Sequence, residues 1–281
     1  MTPNINRTYT ILAILFVCCQ VVFGHGELSL RIAEKTQQIN KEPTNAQLFF
    51  ERGFLYHQHE EFDLALRDYE QSESLGLKSE ELYYRKAETN FTISYYENTI
   101  QALQSYFELN PYDVKGRKLY AKTLYKLNQI NRAYIEYKFV IEHISDPRPD
   151  DYLMFSEITR AHNNDDLHEA LKVINLGLET LGEDTVTLQL ERLELLKAMN
   201  NTDLVIEQYN YFLNQTDRKE FWYFRKASFL KSTGRINDAK IASQQAKVAI
   251  SVLREKFKNT DAIIKLEKDI VHLDKSLNYE D

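Results

Sequence analysis

The chain has 281 residues, 43% hydrophobic and 27% charged, with a formal net charge of −7 and only eight glycines and five prolines. Such sparse turn punctuation, between long segments rich in Leu, Lys, Glu and Tyr, points to an all-helical protein and leaves no room for sheets. The acidic balance excludes a nucleic-acid partner, whose phosphates are held by an excess of Lys and Arg.

Residues 1–24 read as a secretory signal peptide, with Arg7 in a short leading stretch, an apolar core from Ile11 to Phe23, and cleavage spacing at Val22 and Gly24. That core is too short to cross a bilayer comfortably, so no membrane span is expected after cleavage. Phe16 and Val17 stand where a lipidated Cys18 or Cys19 needs small neighbours. Cleavage after Gly24 removes both cysteines and Arg7, taking the charge to −8 and leaving no thiol or disulfide chemistry. The expected destination is exported, periplasmic or secreted. A mature chain starting at His25 also offers an α-amine beside an imidazole, a chelate for copper(II), so a metal-handling accessory role is the alternative function.

Residues 25–45 form a first, capping helix with Leu28, Ile32 and Ile39 on one side, ending before Pro43. From Ala46 a unit of about 34 residues recurs, starting near 46, 80, 114, 151, 186 and 220 and ending near 257. In the first unit the segment His57 to Glu61 collects two histidines and two carboxylates, but residues two apart on a helix face different ways and a turn explains their polarity. Pro111 ends one helix and Asp113 is placed to cap the next. The three extra residues before the fourth unit fall in Asp146 to Asp151, where two prolines predict a non-helical loop. The sixth unit is expected to run on as a long helix to about Phe257. Residues 258–281 then form a C-terminal capping helix, with Thr260 as its cap and Ile263, Leu266, Ile270, Leu273 and Leu277 as one apolar stripe.

Inside each unit the landmarks hold a register. The Gly53 position recurs as Ala87, Ala121, Ile158, Leu193 and Ala227, at steps of 34, 34, 37, 35 and 34. Twelve residues later Ala65 recurs as Thr99, Ala133, Ala170, Val205 and Ala239. A ring or large apolar group follows four residues on at Tyr69, Leu103, Tyr137, Ile174 and Tyr209, failing only at Ser243. Two antiparallel helices approach closely only where one side chain is no larger than a methyl, and a ring then fills the gap to the next unit. The set Phe49, Gly53, Tyr56, Ala65 and Tyr69 resembles the tetratricopeptide repeat, a helix-turn-helix unit that stacks into a right-handed all-α solenoid. The resemblance implies about six repeats between two terminal capping helices.

It also implies a function of binding, with the first helix of every repeat lining a concave groove. Carried over by repeat, the groove residues are Phe50 and Phe54; Tyr84 and Phe91; Lys115, Lys118, Lys122 and Tyr125; Phe155; and Phe221 and Phe224. The rings are expected to stand in solvent as anchors for another protein, and the lysines, on one side of their helix, to favour an acidic or extended segment. Lys122 occupies the place where chaperone-binding members have Asn, so that specificity does not carry over. No phosphate loop, zinc-protease or serine-hydrolase motif occurs, so neither catalysis nor a cofactor is expected.

Overall fold

The protein is described by a computed structural model over residues 26–278, so the stretch read as a signal peptide, both cysteines and His25 lie outside the described residues. Among those residues there are fifteen helices and no strand, an all-α repeat architecture of helix hairpins. Two compact units divide the chain at Ser145 and Asp146. The first holds α1 (26–41), α2 (Ala46–Gln58), α3 (Phe62–Ser74), α4 (Glu80–Thr92), α5 (Tyr96–Leu109), α6 (Val114–Lys126) and α7 (Ile130–His143). The second holds α8 (Pro149–His162), α9 (Leu167–Leu181), α10 (Val186–Ala198), α11 (Thr202–Gln215), α12 (Glu220–Ser232), α13 (Ile236–Ser251), α14 (Glu255–Lys258) and α15 (Asp261–Asn278).

The small residues set the helix spacing. Ala65, Ala87, Ala121, Ala133, Ala170, Ala227 and Ala239 are completely buried, and the largest fully buried side chains include Tyr69, Tyr137 and Tyr209. At Gly53 an added Cβ would lie 2.8 Å from the Tyr69 ring, so the glycine is what lets α2 and α3 close on that ring. Where Leu193 and Val205 replace the small pair, α10 and α11 pack more sparsely than the other hairpins, and α10 leans also on α9. In the first unit Arg52 of α2 donates two 2.7 Å hydrogen bonds to Asp68 of α3 and one of 3.1 Å to Thr36, tying α1 to the first hairpin.

Polar side chains start many of the helices. Asn45, Ser79, Asp113, Asp166 and Asn201 each accept a hydrogen bond from a first-turn N–H, which those turns otherwise leave unpaired. Each hairpin turn then reverses through a left-handed residue: Glu60 (φ 63°), Ser94 (64°), Asn128 (57°), Asn164 (54°), Asn200 (54°) and Gly234 (75°). That conformation costs an ordinary residue about 1 kcal/mol relative to glycine. Glu60→Gly is therefore expected to stabilise the first unit by about that amount, read as a raised urea midpoint with unchanged slope.

Two expected boundaries are corrected. Helix was excluded from Asp146 to Asp151, yet α8 begins at Pro149, because proline's missing N–H costs nothing in a first turn. The Asp151 carboxylate accepts the Arg148 N–H at 3.0 Å. The long helix to Phe257 instead stops at Ser251, breaks, and resumes as the short α14. Thr260 stands directly before α15, its carbonyl accepting from the Ile263 and Ile264 N–H groups at 3.0 Å while its hydroxyl donates to the Phe257 carbonyl at 2.8 Å.

Candidate functional site

The first helices of the repeats carry the residues singled out from the sequence. In the first unit these helices are α2, α4 and α6. On α2, Phe50 is half-buried with its ring 6.0 Å from Tyr69, and Phe54 is half-buried beneath the Arg85 guanidinium of α4 at 4.7 Å. Arg85 is held between Glu81 (2.7 Å) and Glu88 (2.8 Å) on its own helix. On α6 the exposed Lys115 places its ammonium 3.7 Å from the centre of the Tyr84 ring. Ring faces carry partial negative charge, so both cations are attracted to the rings they cover. Lys118, Lys122 and Tyr125 are partly exposed on the same helix.

Tyr84 does not stand in solvent. It is only 8% exposed, packs 5.8 Å from Tyr106, and belongs to a cluster with Tyr83, Ala87, Ala102, Leu103 and Leu119. Phe91 is half-buried against the same cluster and lies 5.7 Å from Tyr96. The reason lies in Gly116, where an added Cβ would come within 2.5 Å of the Tyr106 ring. Tyr106 therefore presses against the α6 backbone, and Tyr84 covers it. Burial pushes the hydroxyls of Tyr84 and Tyr106 well above the usual phenol range, so both stay neutral donors. The signal was present in the sequence, since a glycine inside a helix costs about 1 kcal/mol and marks a close approach.

His57 sits at the edge of this face. Its Nδ1 lies 2.7 Å from the Thr89 hydroxyl, which itself donates to the Arg85 carbonyl. The hydroxyl can then only accept, which assigns the ring proton to Nδ1. Burial lowers the His57 pKa from 6.5, opposed by the Glu88 carboxylate 4.0 Å from Nε2. Because the folded value is depressed, the unfolded chain binds more protons between the two values. The contribution of neutral His57 is complete above pH 6.5 and is lost as pH falls from there through the folded value. Urea titrations of the first unit should show that acid loss, and His57→Gln should remove it. His59 turns away to Glu61 (2.7 Å) and Ser29 (3.2 Å). Among the described residues no group of three or more His, Cys, Asp or Glu side chains is arranged to hold a metal.

In the second unit the first helices are α8, α10 and α12. The expectation of solvent-facing rings is corrected here too, because Phe155 of α8 is core at 6% exposure. Phe221 and Phe224 of α12 are half-buried against a cluster of Ala246, Ile250, Ile263, Leu266 and Ile270, so α15 takes up part of their surface. What sequence reasoning missed in both units is the packing of neighbouring helices around these rings, along with Arg85, whose reach across to α2 no spacing rule specifies.

No protein-family model matches the chain, and no curated protein does. Solved structures do match. The C-terminal part of a TPR repeat-containing protein from Cytophaga hutchinsonii is 14% identical, with 89% of this chain and 98% of that one covered and a TM-score of 0.66. A tetratricopeptide repeat protein from Parabacteroides merdae is 14% identical over 88% of this chain and 93% of its own, at 0.56. YrrB, described as a TPR protein with an unusual peptide-binding site, is 18% identical over 60% of this chain and 85% of its own, at 0.51. At these identities the likeness is one of fold, and the fold is that of the tetratricopeptide repeat.

Proposed function

We propose that a chain with this repeat fold is an exported, non-catalytic interaction scaffold of the cell envelope or exterior, holding an extended acidic segment of another protein on its first helices. The observation that carries the reading is α6. Its 13 residues hold Lys115, Lys118, Lys122 and Lys126, besides an Arg117 paired with Glu136 of α7, and no acidic residue, in a chain whose formal charge is −7. In the same unit the half-buried Phe54 ring of α2 lies under Arg85 of α4, whereas Tyr84, covered by Lys115, is core. Rings anchor a ligand, while charge on the approach face sets orientation and on-rate. The peptide-binding site ascribed to YrrB supports the reading by analogy of fold.

The test is capture of a partner from envelope extract with the mature chain, followed by kinetics with the partner recovered. Lys118→Glu combined with Lys122→Glu is expected to slow association about tenfold at low salt and to flatten its salt dependence. An unchanged on-rate removes the acidic segment from the proposal. Exported material whose N-terminus does not begin near His25 removes the compartment.

A further inference from the structure

We infer that the second unit carries a separate pocket, between α10 and α12, for an aromatic side chain flanked by carboxylates in the partner's extended segment. The inference rests on the scaffold reading and adds the chemistry of one anchor. The cleft encloses about 500 Å³, in the range of ligand sites and more than one side chain fills, so a ring can enter with its neighbouring backbone. Its floor is Leu193 and the Tyr209 ring, each 2% exposed, and its walls include Leu190, 37% exposed, and the half-buried Phe224. Rings on floor and wall favour a ring between them, edge-on or offset.

The rim supplies the charge. Lys197 is already neutralised by Glu194 at 2.8 Å. Arg225 makes no ion pair among the described residues; its guanidinium lies 4.9 Å from the centre of the Trp222 ring, and it lines the cleft. A guanidinium so placed pairs with a carboxylate through parallel N–H donors, and a cation in the same position is repelled. Aromatic and acidic residues side by side are thus what the cleft accepts.

Trp222, the single tryptophan, is 6.4 Å from Tyr209 and stacked at 4.0 Å on Phe212, so its fluorescence reports on the floor of the cleft. Titrating the chain with the peptide acetyl-Gly-Asp-Phe-Asp-Gly-amide should give a saturable change. Peptides with Ala for Phe, or with Lys for Asp, should bind at least about tenfold more weakly. Leu190→Asp, which places a charge on the exposed wall, should weaken the parent peptide about tenfold, and Arg225→Glu should do the same by calorimetry, since Arg225 touches the reporter itself. No saturation by about 1 mM, equal binding of the altered peptides, or an unaffected Leu190→Asp chain overturns the pocket. The Lys118→Glu, Lys122→Glu chain should bind this peptide unchanged. If capture through α6 holds while the peptide fails, the pocket alone falls; if both fail, the scaffold reading falls with it.

Discussion

Tyr84→Ala is expected to destabilise the first unit by about 3 kcal/mol, the cost of emptying a buried ring site that its neighbours only partly refill. The ring is 8% exposed, and its removal uncovers Tyr106, Leu103 and Leu119. In a unit of this size the loss lowers the melting temperature by roughly 10 °C. Hydrogen exchange in α4, α5 and α6 should accelerate together, since these helices share the cluster. Phe54→Ala is the contrasting case, because a half-buried ring under one guanidinium forfeits about 1 kcal/mol or less. A Tyr84→Ala chain that melts like the parent but no longer binds a partner would return the ring to the binding surface. Phe54→Ala and Lys115→Glu are accordingly the cleaner probes of binding, and Tyr84 a probe of the core.

Ending the chain at Asn259, so that α15 is lost, is expected to leave the second unit without a stable fold. Ile263, Leu266, Ile270, Leu273 and Leu277 are all buried, and they complete two clusters, one with Ala246 and Ile250 and one with Ala227, Leu230, Ala239 and Ala242. Burying five such side chains contributes about 7 to 15 kcal/mol as an upper estimate, comparable with the whole stability of a domain. The truncated chain should lose cooperative melting of the second unit and aggregate through α12 and α13, while helix signals of the first unit persist. A soluble truncated chain with an unchanged melting profile would show that α15 is an accessory. Ile270→Ala in the full chain gives a graded version, at about 2 to 4 kcal/mol.

The amino-acid sequence determined the helical repeat and much of its local grammar. Small residues at Gly53, Ala65, Ala87, Ala121 and their counterparts permit close helix pairs whatever surrounds them, and Asp113 or Asn45 caps a helix through its own backbone neighbours. The steps of 3 and 4 from Ile263 to Leu277 put five apolar side chains on one stripe, and all five are buried. Such features act within one helix or one hairpin, so a period reveals them. Which rings remain on a surface was decided only by tertiary structure. Tyr84 and Phe54 stand on corresponding faces of successive first helices. Tyr84 is buried because Gly116 admits Tyr106 beneath it, while Phe54 keeps a partly open ring because Arg85 reaches across to it. Likewise α15 covers part of Phe221 and Phe224, and the cleft beside Leu190 opens where α10 packs sparsely on α11. Burial of a side chain depends on the volumes contributed by two or three other helices, and those volumes meet only when the hairpins are stacked.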